Sequence, residues 1–275
     1  WGTLLYNYAS PMVKDFLIAN ACFWTEVYHV DGLRMDDVDA MLYLDYGRNP
    51  GEWTPNIYGT NENLDALEFL KHLNSVIKQR NPGILLIAQE DGLWPELTDS
   101  VVNDHLGFDY KWSGGWTRDF LFYLSVDPIL RKNYHDQLTL STLYAYSEHY
   151  ILTLGSRDVG SLDEFMAKLP GDEKQKLAQV REAYSYMMVH PGCKMMAPGA
   201  DMLDGLAKCI QALNALYKNS HQTLHFRGVL PACRYYKSAQ RVSAYRCQLR
   251  IEGRCYGCSS NLRQIRPDRN PSNQQ

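Results

Sequence analysis

The feature that most constrains the fold of this chain is the run over residues 29–46, His-Val-Asp-Gly-Leu-Arg-Met-Asp-Asp-Val-Asp-Ala-Met-Leu-Tyr-Leu-Asp-Tyr. An apolar stretch ends on charged residues and a helical pattern follows, as at the C-terminal end of a strand in an α/β barrel. Arg34 and Asp36 are two positions apart, so on an extended strand they share one face. An Arg beside an Asp stabilises and orients the carboxylate, as a nucleophile requires. A solvated ion pair at a strand end would have the same spacing.

Helical patterns and short apolar strands alternate along most of the chain. This order favours a parallel sheet or barrel with helices around it. The sequence predicts helices over residues 11–28, 61–80, 116–131, 171–189 and 203–218, and strands over residues 29–36, 84–88, 108–112, 150–154 and 194–197.

Charge divides the chain near residue 226. From Arg227 onward there are 10 Lys and Arg against 2 Asp and Glu, a net charge of +8, whereas the preceding residues hold 18 against 29, a net charge of −11. The same tail shows no sustained hydrophobic period and is rich in Ser, Gln and Asn, which is typical of a disordered segment. We therefore expect residues 1–226 to form the folded part and residues 227–275 to form a basic, irregular tail.

Composition also indicates the compartment. No apolar run approaches the roughly 18 residues of a membrane span, and no signal-peptide pattern is present, so we expect neither membrane association nor export. The cysteines before residue 226 are far apart, which fits a reducing cytoplasm. Because the chain begins on Trp1 inside a recognisable motif, we expect it to be a fragment or the product of a truncated gene.

Several long segments, in the same order, resemble one known family. Residues 31–36, Asp-Gly-Leu-Arg-Met-Asp, are similar to the fourth-strand motif Asp-Gly-Leu-Arg-Val-Asp of the alpha-amylase superfamily. The continuation over residues 40–46 narrows the resemblance to the glycogen branching enzymes. Further similar segments are residues 1–8, 51–56, 62–70, 107–112, 115–116, 127–128, 169–172 and 213–217.

The resemblance implies a fold class and its extent. The expected fold is α/β, a partial TIM-type (β/α)8 barrel that covers roughly strands four to eight. The first three strands and the N-terminal β-domain of the family have no counterpart in this sequence. The C-terminal β-sandwich should begin where the basic tail begins, and we expect that residues 227–275 do not form it.

The resemblance also implies a reaction, the transfer of an α-1,4-glucan segment to form an α-1,6 branch by a retaining mechanism. Such enzymes place a nucleophilic carboxylate and an acid about 5 Å apart. The nucleophile carries over to Asp36, with Arg34 orienting it. The family's acid is the first Glu after the fifth strand, and Gln89 stands there in the run Ala-Gln-Glu-Asp. Glu90 is the fallback acid, although strand alternation turns it away unless a bulge intervenes.

The third carboxylate of the family lies in a Ser-His-Asp-Glu-Val motif, and this chain reads Ser-Arg-Asp-Val over residues 156–159. In one register Arg157 replaces the carboxylate, and in the other Asp158 retains it and only the His is lost. The family's Gly-Gly-Glu-Phe loop is replaced by Pro-Gly-Ala-Asp at residues 198–201. Altered catalytic positions on a retained scaffold predict an impaired enzyme or a non-catalytic glucan-binding homologue.

Aromatic residues near strand ends are the candidates for binding the glucan. Trp53, Trp94, Trp112 and Trp116, with Tyr58, could stack on sugar rings, and core packing is the alternative for each. The expected partner is an α-glucan, without a cofactor or metal, a nucleic acid or a membrane. A zinc site in the tail, at Cys255-Tyr-Gly-Cys258 with Cys233 and Cys247, and a nucleic-acid role of the tail are weaker alternatives.

Overall fold

The computed structural model describes residues 4–92, 94–155, 159–196 and 206–220. The tail and the segments at residues 156–158 and 197–205 lie outside these ranges, and so do the expectations that concern them. Over the described part, the alternation of helices and strands that the sequence predicts is confirmed. No helix in those ranges is long and apolar enough to cross a bilayer.

The strands form one five-stranded sheet in which every neighbouring pair is parallel and the spatial order follows the chain order. Sequential parallel strands joined by helices are the arrangement of a (β/α)8 barrel segment. The first and last strands are not paired with each other, so the sheet is not closed within the described residues. The strands are β1 (Gly32–Met35), β2 (Leu85–Gln89), β3 (Tyr110–Trp112), β4 (Tyr150–Leu154) and β5 (Cys193–Met196).

The helices begin where local capping predicts. Pro11 occupies the first turn of the first helix, and Asn63 caps the third by accepting a hydrogen bond from the Ala66 backbone N–H at 3.3 Å. The helices are α1 (Pro11–Glu26), α2 (Val38–Leu42), α3 (Leu64–Arg80), α4 (Gly114–Ser125), α5 (Asp136–Thr139), α6 (Ser141–Tyr144), α7 (Leu162–Ala167), α8 (Glu173–Val189) and α9 (Ala207–Ser220).

Several expected elements begin or end two or more residues away from their predicted boundaries, and two of these differences have a local cause. The helix expected over residues 116–131 ends at Ser125, because the residue before Pro128 is disfavoured in a helix, and short helices follow instead. The strand expected from His29 begins only at Gly32, since His29 has a left-handed φ of 53°. In the described residues of the link between β2 and β3, the one helical element is a 3-10 turn over Val101–Asn103.

The two faces of the sheet are packed differently. The outer face is buried under helices, as shown by Leu33, Met35, Leu86 and Ala88, which join the largest core cluster with residues of α1 and α3. On the inner face, Tyr110, Trp112 and Ile151 are buried, while Leu85, Ile87, Cys193 and Met195 beside them are only partly buried. Because side chains alternate along a strand, each strand carries one set of residues to the helices and another to the open inner face.

Candidate active site at the C-terminal end of the sheet

The residues singled out from the sequence meet at one end of the sheet. Met35, the last residue of β1, pairs with Ala88 of β2. Asp36, which follows β1, therefore lies level with Gln89, the residue that follows Ala88. The expectation that Asp36 and Gln89 lie on neighbouring parallel strands at the same C-terminal end is therefore confirmed. This is the end at which barrel enzymes place their chemistry.

Arg34 and Asp36 form an ion pair on the inner face. Arg34 Nη2 lies 2.6 Å from Asp36 Oδ1, and the side chains are only 5% and 7% exposed. The Arg34 guanidinium also lies over the Trp112 ring, with Cζ at 4.2 Å from the ring centroid. Stacking on an indole and pairing with a carboxylate both fix a planar guanidinium, so the position of the Arg34 guanidinium is set from two sides.

Gln89 is held by the backbone of the neighbouring strand end. Its Oε1 accepts a hydrogen bond from the Asp37 N–H at 2.9 Å. Asp37 has a left-handed φ of 53°, which ends β1 and turns its N–H toward β2. The Gln89 amide, which the sequence predicts at the family's acid position, is thus anchored. An amide has no proton to deliver at useful cost.

Glu90 lies on the opposite face from Gln89. Its side chain is fully buried and forms an ion pair with Lys111 of β3, whose Nζ also donates to the Gly92 carbonyl at 3.2 Å. The pairing of β2 with β3 is regular up to Gln89, so the alternation of a strand carries Glu90 outward with Ala88. The second oxygen, Oε1, is buried without a hydrogen-bond partner among the described residues.

Asp39 is a third carboxylate near this end that the sequence argument passed over. It lies in the first turn of α2, is 7% exposed, and accepts a hydrogen bond from the Ala40 N–H at 3.1 Å. Burial first, and then the nearby Glu90 carboxylate, raise the pKa of Asp39 to about 6, although the Ala40 hydrogen bond lowers it. The signal was in the sequence, because four consecutive residues of this run include three aspartates.

Lys111 was also missed as a site residue. It stands between Tyr110 and Trp112, both on the inner face, so alternation alone assigns it to the outer face, where helices cover the sheet. A lysine in such a position is rarely buried without a partner. That rule could have predicted Glu90 as its partner from the sequence.

The candidate sugar-binding tryptophans have different environments. Trp112 is 4% exposed beneath Arg34, and Trp116 is 2% exposed in α4 against Phe120, at 5.0 Å between ring centroids. Both rings are therefore packed against protein. Trp94 is half-buried against Tyr43, with ring centroids 5.6 Å apart, and Trp53 is half-buried in the loop that follows α2. The last two retain accessible surface.

Two predicted elements of the site cannot be placed. Arg157 and Asp158, the two possible occupants of the third carboxylate position, lie outside the described residues, as do residues 198–201. The candidate zinc ligands of the tail also lie outside them. Within the described ranges, no group of three or more His, Cys, Asp and Glu side chains is arranged to hold a metal ion.

Sequence comparison identifies relatives among the 1,4-alpha-glucan branching enzymes. The chain is 47% identical over 205 residues to the 1,4-alpha-glucan branching enzyme GlgB of Methylococcus capsulatus. The alignment covers 73% of this chain and 27% of that protein. It is 38% identical over 294 residues to the 1,4-alpha-glucan branching enzyme GlgB of Myxococcus xanthus, covering 95% of this chain and 39% of that protein. The chain thus spans about a third of the length of these curated relatives.

Other comparisons are less specific. A solved structure of apo pullulanase from Paenibacillus barengoltzii aligns with a TM-score of 0.49 and 13% identity, covering 76% of this chain and 36% of that one. No protein-family model matches the chain.

From the sequence relatives, the residues that form the sheet and its C-terminal end lie in a sequence related to the 1,4-alpha-glucan branching enzymes.

Proposed function

We propose that this chain is a part of a 1,4-alpha-glucan branching enzyme that holds an α-glucan at the C-terminal end of the sheet but does not complete the branching reaction. The observation that carries the proposal is the pair of positions at the end of β2, Gln89 and Glu90. Gln89 accepts a hydrogen bond from the Asp37 N–H, and Glu90 is buried on the other face with Lys111. Neither side chain is placed to donate a proton to a leaving sugar oxygen.

The retained half of the chemistry belongs to Asp36. In a retaining mechanism the nucleophilic carboxylate attacks the anomeric carbon as the bond to the leaving O4 breaks, and that oxygen must receive a proton. The paired and stacked Arg34 holds the Asp36 carboxylate in one orientation. The missing partner is the acid, whose loss typically lowers the rate by about 10²- to 10⁴-fold.

The second candidate function is a non-catalytic glucan-binding protein, and the same observation favours it. Both proposals share the α-glucan as ligand, and in neither does the chain complete the branching reaction. They differ in role, since the first is a catalytic part that lacks its acid and the second is a protein that only binds. A cytoplasmic location belongs to the same proposal. It is supported by Cys22 and Cys209, which form no disulfide among the described residues, as suits a reducing compartment.

The test is an iodine–amylose assay with debranching and chain-length analysis, run beside native gels that contain glycogen. We expect retardation in the gel and no new α-1,6 links, both for the unmodified chain and for Gln89→Glu. A single restored carboxylate should not suffice, because catalytic groups that act as a unit are not repaired one at a time. New α-1,6 links at the rate of a full-length relative would contradict the loss of catalysis, and an unretarded chain would contradict glucan binding. Rescue by Gln89→Glu would show that Gln89 is the sole defect.

A further inference from the structure

The loop over residues 43–63, between α2 and α3, holds a groove of about 470 Å³. The ends of the loop are tied, because the Leu44 N–H donates to the Asn61 carbonyl at 2.7 Å and Tyr43 forms an isolated antiparallel bridge with Glu62. A volume of roughly 300–1,000 Å³ is usual for a ligand site, and walls that are set in advance lower the cost of binding. The lining residues are Asp45, Arg48, Pro50, Gly51, Trp53 and Pro55.

Negative charge is concentrated around this groove. Residues 31–65, which include β1 and the loop, contain eight Asp and Glu against two Arg, a net charge of −6 out of the −11 carried by the part of the chain before the tail. One of those arginines, Arg34, is already paired with Asp36. At the groove, Asn61 Nδ2 holds the Asp45 carboxylate by donating to its two oxygens at 2.9 and 3.1 Å. The groove wall therefore offers an anion in a fixed position.

Two tyrosines of the loop report the sign of the electrostatic potential beside the groove. The pKa of Tyr43 is raised by its burial first and then by four carboxylates, among them those of Glu62 and Asp45. The pKa of Tyr46 is raised by its burial first and then by the carboxylate of Asp39 and three others. A carboxylate raises the pKa of a phenol because it opposes the negative charge of the phenolate. The same negative potential attracts a cation.

The same molecule shows which cation such a combination of groups binds. At the end of the sheet, the Arg34 guanidinium stacks on the Trp112 ring, 4.2 Å from its centroid, and pairs with Asp36 at 2.6 Å. The groove lining contains a second indole and a second carboxylate, those of Trp53 and Asp45. An arginine suits this lining, since its planar fork can stack on an aromatic face and bond a carboxylate.

The basic tail is a source of arginines within the same chain. Residues 227–275 hold nine Arg and one Lys against two acidic residues, a net charge of +8, whereas the three carboxylates of the 43–63 loop outnumber its one basic residue, Arg48. The 55 residues that follow Ser220, the last residue of α9, can span up to roughly 180 Å. Five neighbouring strands are together only about 20 Å across. The tail can therefore reach the groove from the far edge of the sheet.

We propose that the basic tail, residues 227–275, docks in cis on the groove of the 43–63 loop, with one of its arginines stacked on Trp53 and paired with Asp45. Attachment to the same chain keeps the local concentration of the tail high, so a few weak ion pairs suffice. The docked tail lies next to the end of β1, since the carboxylates that act on Tyr46 of the loop include those of residues 37 and 39. It therefore narrows the approach to the candidate active site. Docking rests on charge and does not depend on the proposed function.

The experiment is digestion of the full chain with a low dose of trypsin, which cleaves after Arg and Lys, with the cut sites mapped by mass spectrometry. A docked arginine is shielded from the protease, and salt screens its ion pairs. We expect cleavage within residues 227–275 to be about tenfold slower at about 20 mM salt than at about 0.5 M salt. A synthetic peptide of residues 227–275, digested in parallel, corrects for the effect of salt on trypsin itself.

Neutralising the groove should remove this protection. We expect Asp45→Asn combined with Glu52→Gln to bring the cleavage rate at low salt most of the way to the rate at high salt. Both substitutions keep an oxygen that accepts the hydrogen bonds now donated by Asn61 and Asn49, so the loop should keep its shape.

The matched control removes the same amount of charge elsewhere. Glu68→Gln combined with Glu182→Gln neutralises two exposed carboxylates, on α3 and α8, that do not line the groove, and it should retain slow cleavage. Trp53→Leu removes the ring and leaves the charges, so we expect it to speed cleavage at low salt by a smaller factor, about threefold.

Four outcomes would overturn docking of the tail in cis on the groove. Equal corrected rates at low and high salt would mean that the tail is not held by charge. Equal acceleration by the groove pair and the control pair of substitutions would mean that the groove is not the docking site. Protection that is lost on dilution of the protein would place the tail on a second copy, and protection that requires added RNA would assign it to a nucleic acid. None of these measurements involves a glucan, so their failure leaves the proposed function untouched.

Discussion

Two buried cation–carboxylate pairs lie near the C-terminal end of the sheet, one on each face, and they have different surroundings. Arg34 and Asp36 lie on the inner face, which is only partly covered, whereas Lys111 and Glu90 lie on the outer face under the helices. The inner cation stacks on Trp112, and the outer cation donates to the Gly92 carbonyl. The inner pair lies at the partly covered C-terminal end of the sheet, and the outer pair fixes the turn after β2.

A shift of one position along β2 determines whether a carboxylate lies beside Asp36 or is buried under the helices. Gln89 and Glu90 are adjacent in sequence, yet the first faces the inner end and the second faces the helices. A carboxylate at residue 89 would stand beside Asp36, but at residue 90 it stands beside Lys111. A carboxylic acid in the sequence at residues 89–91 is therefore not evidence that its side chain can reach a bound sugar.

The largest expected effect comes from breaking the outer pair. Lys111→Met leaves the Glu90 carboxylate buried without its cation, which should lower the free energy of unfolding by about 3–5 kcal/mol. Urea unfolding followed by circular dichroism measures it. The double variant Lys111→Met with Glu90→Met should recover most of the loss, since an apolar pair of similar volume removes the unpaired charge.

The matched control for this prediction is Lys71→Met, which breaks an ion pair with Asp104 whose carboxylate is 92% exposed. Exposed pairs contribute less than about 1 kcal/mol. A loss in Lys111→Met no greater than that in Lys71→Met would mean that water reaches Glu90 and that the outer pair is not structural.

The next effect is a pH dependence that originates at Asp39. Its folded-state pKa of about 6 lies above the ordinary value of 3.8, so between these values the folded state retains a proton that the unfolded state has lost. The stability contributed by this proton is full below about pH 4 and is lost as the pH rises through 6. Asp39→Asn should therefore match the unmodified chain near pH 4 and exceed it above pH 6, by roughly 2–3 kcal/mol.

Urea unfolding of both chains at several pH values between 4 and 8 measures this divergence. Asparagine keeps Oδ1 as acceptor for the Ala40 N–H, so the difference isolates the charge. Parallel stability curves for the two chains would contradict a raised pKa at Asp39.

The strand order, and the faces on which Asp36 and Gln89 lie, could be predicted from the sequence because both depend on the local alternation of side chains along a strand. Alternation places Arg34 with Asp36 and separates Gln89 from Glu90, and the structure agrees. Trp112 and Trp116 could not be placed in this way. Their burial depends on which neighbour fills the space above each ring, and that neighbour is Arg34 for one and Phe120 for the other.

Asp39 is an intermediate case, because its acidity pattern is visible while its burial is not.

A smaller effect tests the support of the inner pair. Trp112→Leu removes the ring beneath Arg34 and also core surface, so its total cost mixes two terms. A double-mutant cycle with Arg34→Met isolates the contact, and we expect a coupling free energy of about 1 kcal/mol. Trp112→Phe, which keeps a ring, should retain part of it. A coupling of zero would mean that Asp36 alone positions Arg34.

An effect of similar size concerns the neutral neighbour of the inner pair, Gln89. Gln89→Met keeps the approximate length of the side chain but removes the acceptor of the Asp37 N–H, a hydrogen bond of 2.9 Å. A single bond of this kind contributes about 1 kcal/mol, so unfolding should become easier by that amount and the Asp37 amide should exchange faster with deuterium. Gln89→Glu keeps an acceptor at the same position and should preserve the slow exchange. If exchange at Asp37 were equally slow in the methionine variant, the side chain of residue 89 would not be anchored to the end of β1. A carboxylate restored there would then be free to reach a bound sugar, and Gln89→Glu would become the variant in which to look for recovered branching.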